Sequence, residues 1–300
     1  MLTCRPARLM SDYFPARRAL IDRTLAELAS RTGAPAPLAA PLSRSLESAG
    51  KRVRGILLIA VGEAFGGRAE KLAPAAAAIE MIHASSLILD DLPSMDDAEL
   101  RRGAPTLHRE FGEDLAILSA VALLNHAYGL VVQSHAALSP RRWPMQQVVQ
   151  RVVDAVGWDG TIAGEAVDLH SEQAHLDFDT LEFIHSRKTG TLFVAAGAVG
   201  GMLANIHSAP LQRVEIFAKN LGLAFQIVDD VLDVTSNPET LGKDVRKDEQ
   251  RLTFVKLAGV EGARKLSEEL VATSLAAIEP LGAAARPLRE LAVMVRDRVR

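Results

Sequence analysis

The sequence predicts an all-α fold, organised as a single large helical bundle. Apolar residues recur at helical spacing along almost the whole chain, whereas alternation with a period of two between turn residues is hard to find. No low-complexity tract or long linker divides the 300 residues, although a chain of this length can bury its core as one big domain or as two ordinary ones. We therefore predict one domain over residues 1–300.

The predicted helices follow from the apolar spacing and from the breaks between them. The first apolar stripe is closed by Gly33 and consists of Leu20, Ile21, Leu25 and Leu28. A buried helix is predicted from Ile56, Leu57, Ile59, Ala60 and Ala64. Further helices are predicted over Leu72–Leu89, Asp114–Ala137, Met145–Glu172, Thr191–Ile206, Leu211–Val234, Ala263–Ile278 and Arg286–Arg298. Breaks are predicted at Arg101–Pro105, Ser139–Pro144, Ser208–Pro210 and Ser236–Lys247.

The composition limits the classes of partner and compartment. The formal net charge is −3, so no bulk positive field favours nucleic acid or an acidic membrane surface. The only cysteine, Cys4, excludes an internal disulfide framework and fits a reducing compartment. The first residues lack an apolar core of signal-peptide length, and no run of about 18 apolar residues occurs. We therefore expect a soluble, cytoplasmic protein without a transmembrane segment.

A first acidic cluster lies in the stretch SLILDDLPSMDDAELRRG. Asp90 and Asp91 end an apolar helix, and Asp96 and Asp97 follow within a few residues. Two acids at a helix end are ordinarily a solvated terminus, but carboxylates at a helix C-terminus oppose the macrodipole and require a compensating cation. Pro93 breaks the helix and lets the second pair turn back toward the first. The cluster predicts a hard, oxygen-coordinated divalent cation such as Mg²⁺.

A second acidic cluster lies in AFQIVDDVLDV. Asp229 and Asp233 are separated by four residues, so they share one face of a helix, and Asp230 lies beside them. The rest of this helix is apolar and is expected to be buried, through Phe225, Ile227, Val228 and Leu232. Three acids on a buried helix are costly without a metal or cationic partners.

Basic residues beside glycines complete the pattern. Mg²⁺ binds through a few carboxylates together with water and substrate phosphates, so phosphate-binding cations are expected elsewhere in the chain. The candidates are Lys51, Arg52, Arg54, Arg101, Arg102, Arg187, Lys188, Lys243 and Lys247. Each alone is ordinarily part of a solvated loop, but together with two acidic clusters they predict a pocket for a polyphosphate.

In this order, the motifs GKRVR, DDLPSMDD, RRG, KTG, AFQIVDDVLD and GKD resemble the trans-isoprenyl diphosphate synthases, over essentially residues 40 to 260. The chain is most similar to the bacterial geranylgeranyl diphosphate synthases of carotenoid pathways. The resemblance implies an all-α bundle around a central substrate cavity, a homodimer, and about three Mg²⁺ ions that bridge the allylic diphosphate. It also implies head-to-tail condensation of isopentenyl diphosphate with dimethylallyl, geranyl or farnesyl diphosphate.

The resemblance assigns roles to individual positions of this chain. The implied metal ligands are Asp90, Asp91, Asp96, Asp229, Asp230 and Asp233. The implied allylic diphosphate ligands are Arg101, Lys188, Thr189, Gln226 and Lys243, and those of isopentenyl diphosphate are Lys51, Arg54, His83 and Arg102. The implied catalytic set is Asp90, Asp91, Asp96, Arg101, Lys188, Asp229 and Lys243. The departing diphosphate is the base implied by the family, so no protein group is assigned that role.

The chain departs from the family pattern at three positions. Ala49 stands where the family usually has glycine, Gly55 where it usually has proline, and Glu165 where a glutamine facing the metals is common. The added carboxylate of Glu165 either tightens metal binding or repels diphosphate, and the sequence leaves both open.

Product length and the rival functions depend on a few further positions. In this family, bulk at the fifth position before the first aspartate closes the product tunnel early, and here Ser85 and Ser86 are both small. This favours a C20 product, mainly geranylgeranyl diphosphate, with a farnesyl diphosphate synthase as the alternative. A class I terpene cyclase is less favoured, because it lacks the isopentenyl-binding set. A non-catalytic subunit of a heteromeric synthase is less favoured because no motif aspartate is missing.

Overall fold

The computed structural model describes residues 12–171, 177–235 and 253–298, and these are helical almost throughout, as predicted. The first half contains α1 (Tyr13–Ser30), α2 (Ala36–Leu46), α3 (Val53–Ala64), α4 (Ala69–Asp90), α5 (Leu107–Phe111) and α6 (Glu113–Leu138). The second half contains α7 (Met145–Val156), α8 (Thr161–His170), α9 (Phe178–His185), a π-helix (Ser186–Gly190), α10 (Thr191–Leu203), α11 (Ser208–Thr235), α12 (Phe254–Ile278), a 3₁₀ helix (Glu279–Ala285) and α13 (Arg286–Asp297). Between α4 and α5, β1 (Leu100–Arg101) and β2 (Ala104–Pro105) form a two-residue antiparallel hairpin.

Two predicted boundaries are wrong. The single helix predicted over Met145–Glu172 is two helices, α7 and α8, because residues 157–160 leave the helical conformation around two glycines. The break predicted at Ser208–Pro210 lies before Ser208 instead, since α11 begins there and a proline is tolerated in the first turn of a helix. The break predicted at Ser236–Lys247 lies outside the described residues. Helices α2, α5 and α9 were not predicted.

The core consists of helices that pack against one another over nearly their whole length. Helix α4 packs on α3 and α6, α10 packs on α3 and α11, and α11 packs on α12. Small residues allow close approach: a Cβ on Gly200 of α10 would overlap the backbone of Leu58 in α3. The largest fully buried side chains include the aromatic rings of Phe193, Phe217 and Phe254. This packing fixes the ends of α4 and α11, where the two acidic clusters lie.

In the part of the chain that the structure describes, two helices, α4 and α6, are long and apolar enough to cross a membrane by length and composition alone. Helix α4 is mostly buried between its neighbours, and a core helix of a soluble protein passes the same test. The finding is therefore weak evidence for a membrane span.

Candidate active site

The first aspartate cluster folds back on itself as predicted. Helix α4 ends at Asp90, and the backbone N–H of Asp96 donates to the carbonyl of Asp90 at 2.9 Å. The N–H of Ala98 donates to the carbonyl of Asp91 at 3.1 Å. The turn that contains Pro93 therefore brings the second acidic pair back to the end of the helix.

The first two acids of this cluster have different surroundings. Asp91 is only 4% exposed, and its carboxylate accepts hydrogen bonds from Arg101 of β1, with Nε 2.7 Å from Oδ1 and 2.8 Å from Oδ2. Burial raises the pKa of Asp90 to about 7, and the neighbouring Glu165 carboxylate adds to the rise while Lys188 opposes it. Asp90 is therefore a carboxyl group that gains much from a nearby cation, whereas Asp91 already has one.

Two acids of the second aspartate cluster also have different surroundings. Asp230 is 5% exposed and accepts hydrogen bonds from the side chain of Gln226 at 3.0 Å and from the backbone N–H of Phe254 at 3.3 Å. Burial raises the pKa of Asp230 to about 7. Asp229, by contrast, pairs with the guanidinium of Arg298 at 2.6 Å. The metal-ligand roles of Asp91 and Asp230 stay predictions, and in this structure protein groups hold both carboxylates.

The amide of Gln226 connects the second cluster to the KTG motif. Its Oε1 accepts a hydrogen bond from Thr189 Oγ1 at 3.0 Å, while its Nε2 donates to Asp230. Asp230 thereby fixes which end of the amide faces Thr189. The structure brings together these two predicted diphosphate ligands.

Lys188 lies on the π-helix, facing α8. Its ammonium is 2.6 Å from Glu165 Oε2 and 2.7 Å from Asp168 Oδ2. Burial opposes its positive charge, but Asp168, Glu165 and Asp90 raise the pKa of Lys188, so the ammonium stays charged. The approach of the two helices depends on Gly164, because a Cβ there would lie 2.9 Å from both Arg187 Cβ and Lys188 Cα.

A cavity of about 270 Å³ is lined by Asp91 and Arg101 and by further cationic side chains. His83 and Arg102 line it, as does Arg52, which is buried and bonded to Asp22 at 2.8 Å. Burial, followed by the charge of Arg54 and its neighbours, lowers the pKa of His83 well below its usual value. His83 is therefore neutral and can donate one hydrogen bond.

Arg54 is buried, and its charge acts on the pKa of His83, which lines this cavity. Its guanidinium lies 4.7 Å from the ring centroid of Phe193, and its Nε has no hydrogen-bond partner in the described part of the chain. Two departures from the family pattern lie nearby. The N–H of Gly55 donates to Glu80 Oε1 at 2.8 Å, a bond that proline would lack, and the carbonyl of Ala49 accepts from Arg102.

Several other predicted residues have defined places. Lys51 is exposed immediately before α3, and Ser85 is buried between α4 and α6, where its Oγ donates to the carbonyl of Ala120 at 2.8 Å. Ser86 Oγ donates to the carbonyl of His83. Lys243, which was assigned to the allylic diphosphate, lies outside the described residues.

Sequence reasoning missed some residues of the site. Three such residues are buried or half-buried beside predicted ligands, namely Glu80, Asp168 and His185. Of these, only Asp168 had a sequence signal, because it follows Glu165 by three residues and so shares a helix face with it. Arg298 pairs with Asp229 across 69 residues, for which no local pattern exists.

The donor set fits magnesium that is completed by substrate. Over residues 12–171, 177–235 and 253–298, no three histidine, cysteine or carboxylate side chains converge as a ready-made metal cluster. Mg²⁺ is usually held by one or two carboxylates with water and substrate phosphates, so two separated aspartate clusters suit it.

The chain matches the family model described as Polyprenyl synthetase over residues 35–278. It therefore belongs to the polyprenyl synthetase family. It is 39% identical over 287 residues to the dimethylallyltranstransferase of Fischerella ambigua, covering 94% of this chain and 82% of that protein. It is 41% identical over 265 residues to the geranylgeranyl diphosphate synthase of Cyanophora paradoxa, covering 86% of each. A match to geranylgeranyl pyrophosphate synthase 11, chloroplastic, of Arabidopsis thaliana has 43% identity and spans 64% of that protein's length.

Solved structures agree with these sequence relatives. An FPP/GFPP synthase from Zymomonas mobilis superposes with a TM-score of 0.83 at 29% identity, covering 97% of this chain and 100% of that one. A geranyltransferase from Helicobacter pylori, complexed with magnesium and isoprenyl diphosphate, superposes with a TM-score of 0.79 at 27% identity, covering 98% of each. The predicted family, all-α fold and head-to-tail prenyltransferase class are confirmed.

Proposed function

We propose that this chain condenses isopentenyl diphosphate with dimethylallyl, geranyl or farnesyl diphosphate, with Mg²⁺ as cofactor, and that its main product is geranylgeranyl diphosphate. The observation that carries the proposal is the division of the site at the Asp91–Arg101 pair. Asp91 and Arg101 line the cavity together with His83 and Arg102, while Asp90, the residue before Asp91, lies close enough to Lys188 that this ammonium affects its pKa. Two anionic substrates would thus meet beside the same pair.

The proposed reaction uses both groups of residues. The allylic C–O bond breaks, the double bond of isopentenyl diphosphate attacks the allylic carbon, and the departing diphosphate takes the proton that is lost. Lys188, Arg101 and the Thr189–Gln226 pair bind and orient the allylic diphosphate, where negative charge develops. His83 and Arg102 bind the second diphosphate. The reaction also requires that water be excluded from the cationic carbon.

The role of magnesium would be to balance charge on the departing diphosphate. Asp90 and Asp96 would hold it on one side, and Asp229 and Asp233 on the other. We assign Asp91 and Asp230 to positioning in addition, because each orients a neighbouring ligand, Arg101 or Gln226, through direct hydrogen bonds. The magnesium complex of the Helicobacter pylori relative supports this cofactor.

The proposed C20 product rests on Ser85. Its small side chain lies where α4 meets α6, and the resemblance implies that a bulky side chain at this position would close the product tunnel early. The name of the Cyanophora paradoxa relative agrees with this length, whereas the Zymomonas mobilis enzyme is an FPP/GFPP synthase. That the product supplies a carotenoid pathway stays a prediction.

We also propose a homodimer in the cytoplasm. Helix α6 exposes an apolar strip of Ile117, Leu118 and Val121, which are 43%, 55% and 57% exposed, and a second copy would cover it. The single cysteine is the sequence argument for a reducing compartment.

The test is to incubate the purified protein with Mg²⁺, isopentenyl diphosphate and each allylic primer and to size the products. We expect C20 for wild type. Ser85→Phe should shift the main product to C15, because overpacking of about 1–3 kcal/mol would oppose a longer tail. Ser85→Ala serves as the control, since it removes the bond from Oγ to the carbonyl of Ala120 but keeps the side chain small. A wild type that stops at C15, or a Ser85→Phe variant that still makes C20, would refute the role of Ser85.

A further inference from the structure

The ammonium of Lys188 is shared by two carboxylates in this structure. Glu165 Oε2 lies 2.6 Å away and Asp168 Oδ2 lies 2.7 Å away. Because an ammonium has three donors, two are occupied before any diphosphate arrives. Glu165 stands where a neutral glutamine is common in the family that the chain resembles, so the second negative charge beside Lys188 is a departure of this sequence.

The charge around Lys188 is therefore negative. One ammonium faces two carboxylates, and Asp90 is close enough that the charge of Glu165 is the largest charge effect on it. The second oxygen of Glu165, Oε1, is buried without a hydrogen-bond partner among the described residues. A diphosphate that approached Lys188 would therefore meet a net negative charge.

We propose that Glu165 is a positioning residue that makes diphosphate binding at Lys188 depend on a divalent cation. The carboxylate holds the ammonium and repels diphosphate until a cation offsets its charge, so the cation must bind before or together with the allylic diphosphate. This inference rests on the proposed function and decides between the two effects of Glu165 that the sequence leaves open. A glutamine would keep the contact with Lys188 through its carbonyl oxygen and remove the repulsion.

The probe is inorganic diphosphate, and the measurement is its affinity by titration calorimetry, once with a chelator and once with saturating Mg²⁺. In chelator, Glu165→Gln should bind diphosphate at least about tenfold more tightly than wild type, since a unit charge is removed a few ångströms from the anion. In Mg²⁺ the two proteins should differ much less. Glu165→Asp keeps the charge and should retain the weak cation-free binding.

A matched control removes a carboxylate elsewhere. Glu215 pairs with Arg151 at 3.0 Å between α11 and α7, and Glu215→Gln should leave both affinities unchanged. Equal affinity of wild type and Glu165→Gln in chelator would overturn the inference, and so would tight cation-free binding by Glu165→Asp. Product formation in the same preparations separates the two proposals. If condensation occurs without the shift in affinity, only the inference fails, whereas if no variant binds diphosphate or condenses substrates, the proposed function fails with it.

Discussion

Replacing Gly164 by alanine tests whether the contact between α8 and the π-helix positions Lys188. The new Cβ would lie 2.9 Å from Arg187 Cβ and from Lys188 Cα, and still closer to the Lys188 backbone nitrogen. Ordinary carbon–carbon contacts are about 3.5–4.0 Å, so the π-helix must move by roughly 1 Å. A displacement of about 1 Å at a reacting group costs about 10²-fold in rate. We expect kcat/KM for the allylic primer to fall by that order.

The effect on stability has two opposing parts. Alanine in a helix is favoured over glycine by about 0.5–1 kcal/mol, whereas overpacking costs about 1–3 kcal/mol, so Gly164→Ala should lower the free energy of unfolding by about 1–2 kcal/mol. Gly129 of α6 is the matched control, because a Cβ there has no neighbour within 4 Å and Gly129→Ala should be neutral or stabilising. The measurements are denaturant unfolding and steady-state kinetics. Unchanged primer kinetics in Gly164→Ala would refute the positioning argument.

The remaining predictions concern metal, substrate division and pH. Chelation should abolish activity, and added Mg²⁺ should restore it; full activity in chelator would contradict the proposed metal dependence. Asp229→Ala should lower turnover by several orders of magnitude, since about 3–4 kcal/mol depends on one preorganised oxyanion contact. His83→Ala should raise KM for isopentenyl diphosphate more than for the primer, whereas Lys188→Ala should act on the primer or on kcat; equal effects on both substrates would show that the two sides are misassigned. The folded-state pKa of His185 is lowered to about 4, first by burial, so between about pH 6.5 and 4 the unfolded chain binds a proton that the folded chain does not. The contribution of neutral His185 to the free energy of unfolding is fully present above pH 6.5 and is lost as pH falls to 4. The loss amounts to about 3 kcal/mol. The free energy of unfolding of wild type should therefore fall over this window more than that of His185→Gln, in which neighbouring Asp230 still titrates, and parallel curves would contradict the prediction.

The sequence predicted what depends on local spacing. The turn at Pro93 brings Asp96 back to Asp90, and the separation of Asp229 and Asp233 by four residues places both on one helix. These features need only a helix period and a helix breaker. These features predicted a site for divalent cations, because such acidic clusters require cations, whereas the condensation itself was implied by the resemblance.

The remaining features depend on tertiary contacts. The helix predicted over Met145–Glu172 runs through residues 157–160, yet two glycines interrupt it there, and the separate helix α8 contacts Lys188 through Glu165 and Asp168. The pairing of Arg298 with Asp229 joins the end of the chain to a helix 69 residues earlier. The different surroundings of the two aspartates in each pair also depend on distant groups. Arg101 of the hairpin bonds to Asp91, and the backbone N–H of Phe254 in α12 bonds to Asp230.

The π-helix at Ser186–Gly190 has a consequence for how this gene can change. A π-helix closes its hydrogen bonds over one residue more than an α-helix, so this turn holds one residue beyond what a continuous α9–α10 helix would need. Deleting one codon here would restore an uninterrupted helix but would rotate α9 against α10 by about 100°. Lys188 and Thr189 could then no longer face α8 and α11 at the same time. Selection at this turn therefore acts on the number of residues as well as on their identity, and single-residue insertions and deletions should be absent from its functional descendants.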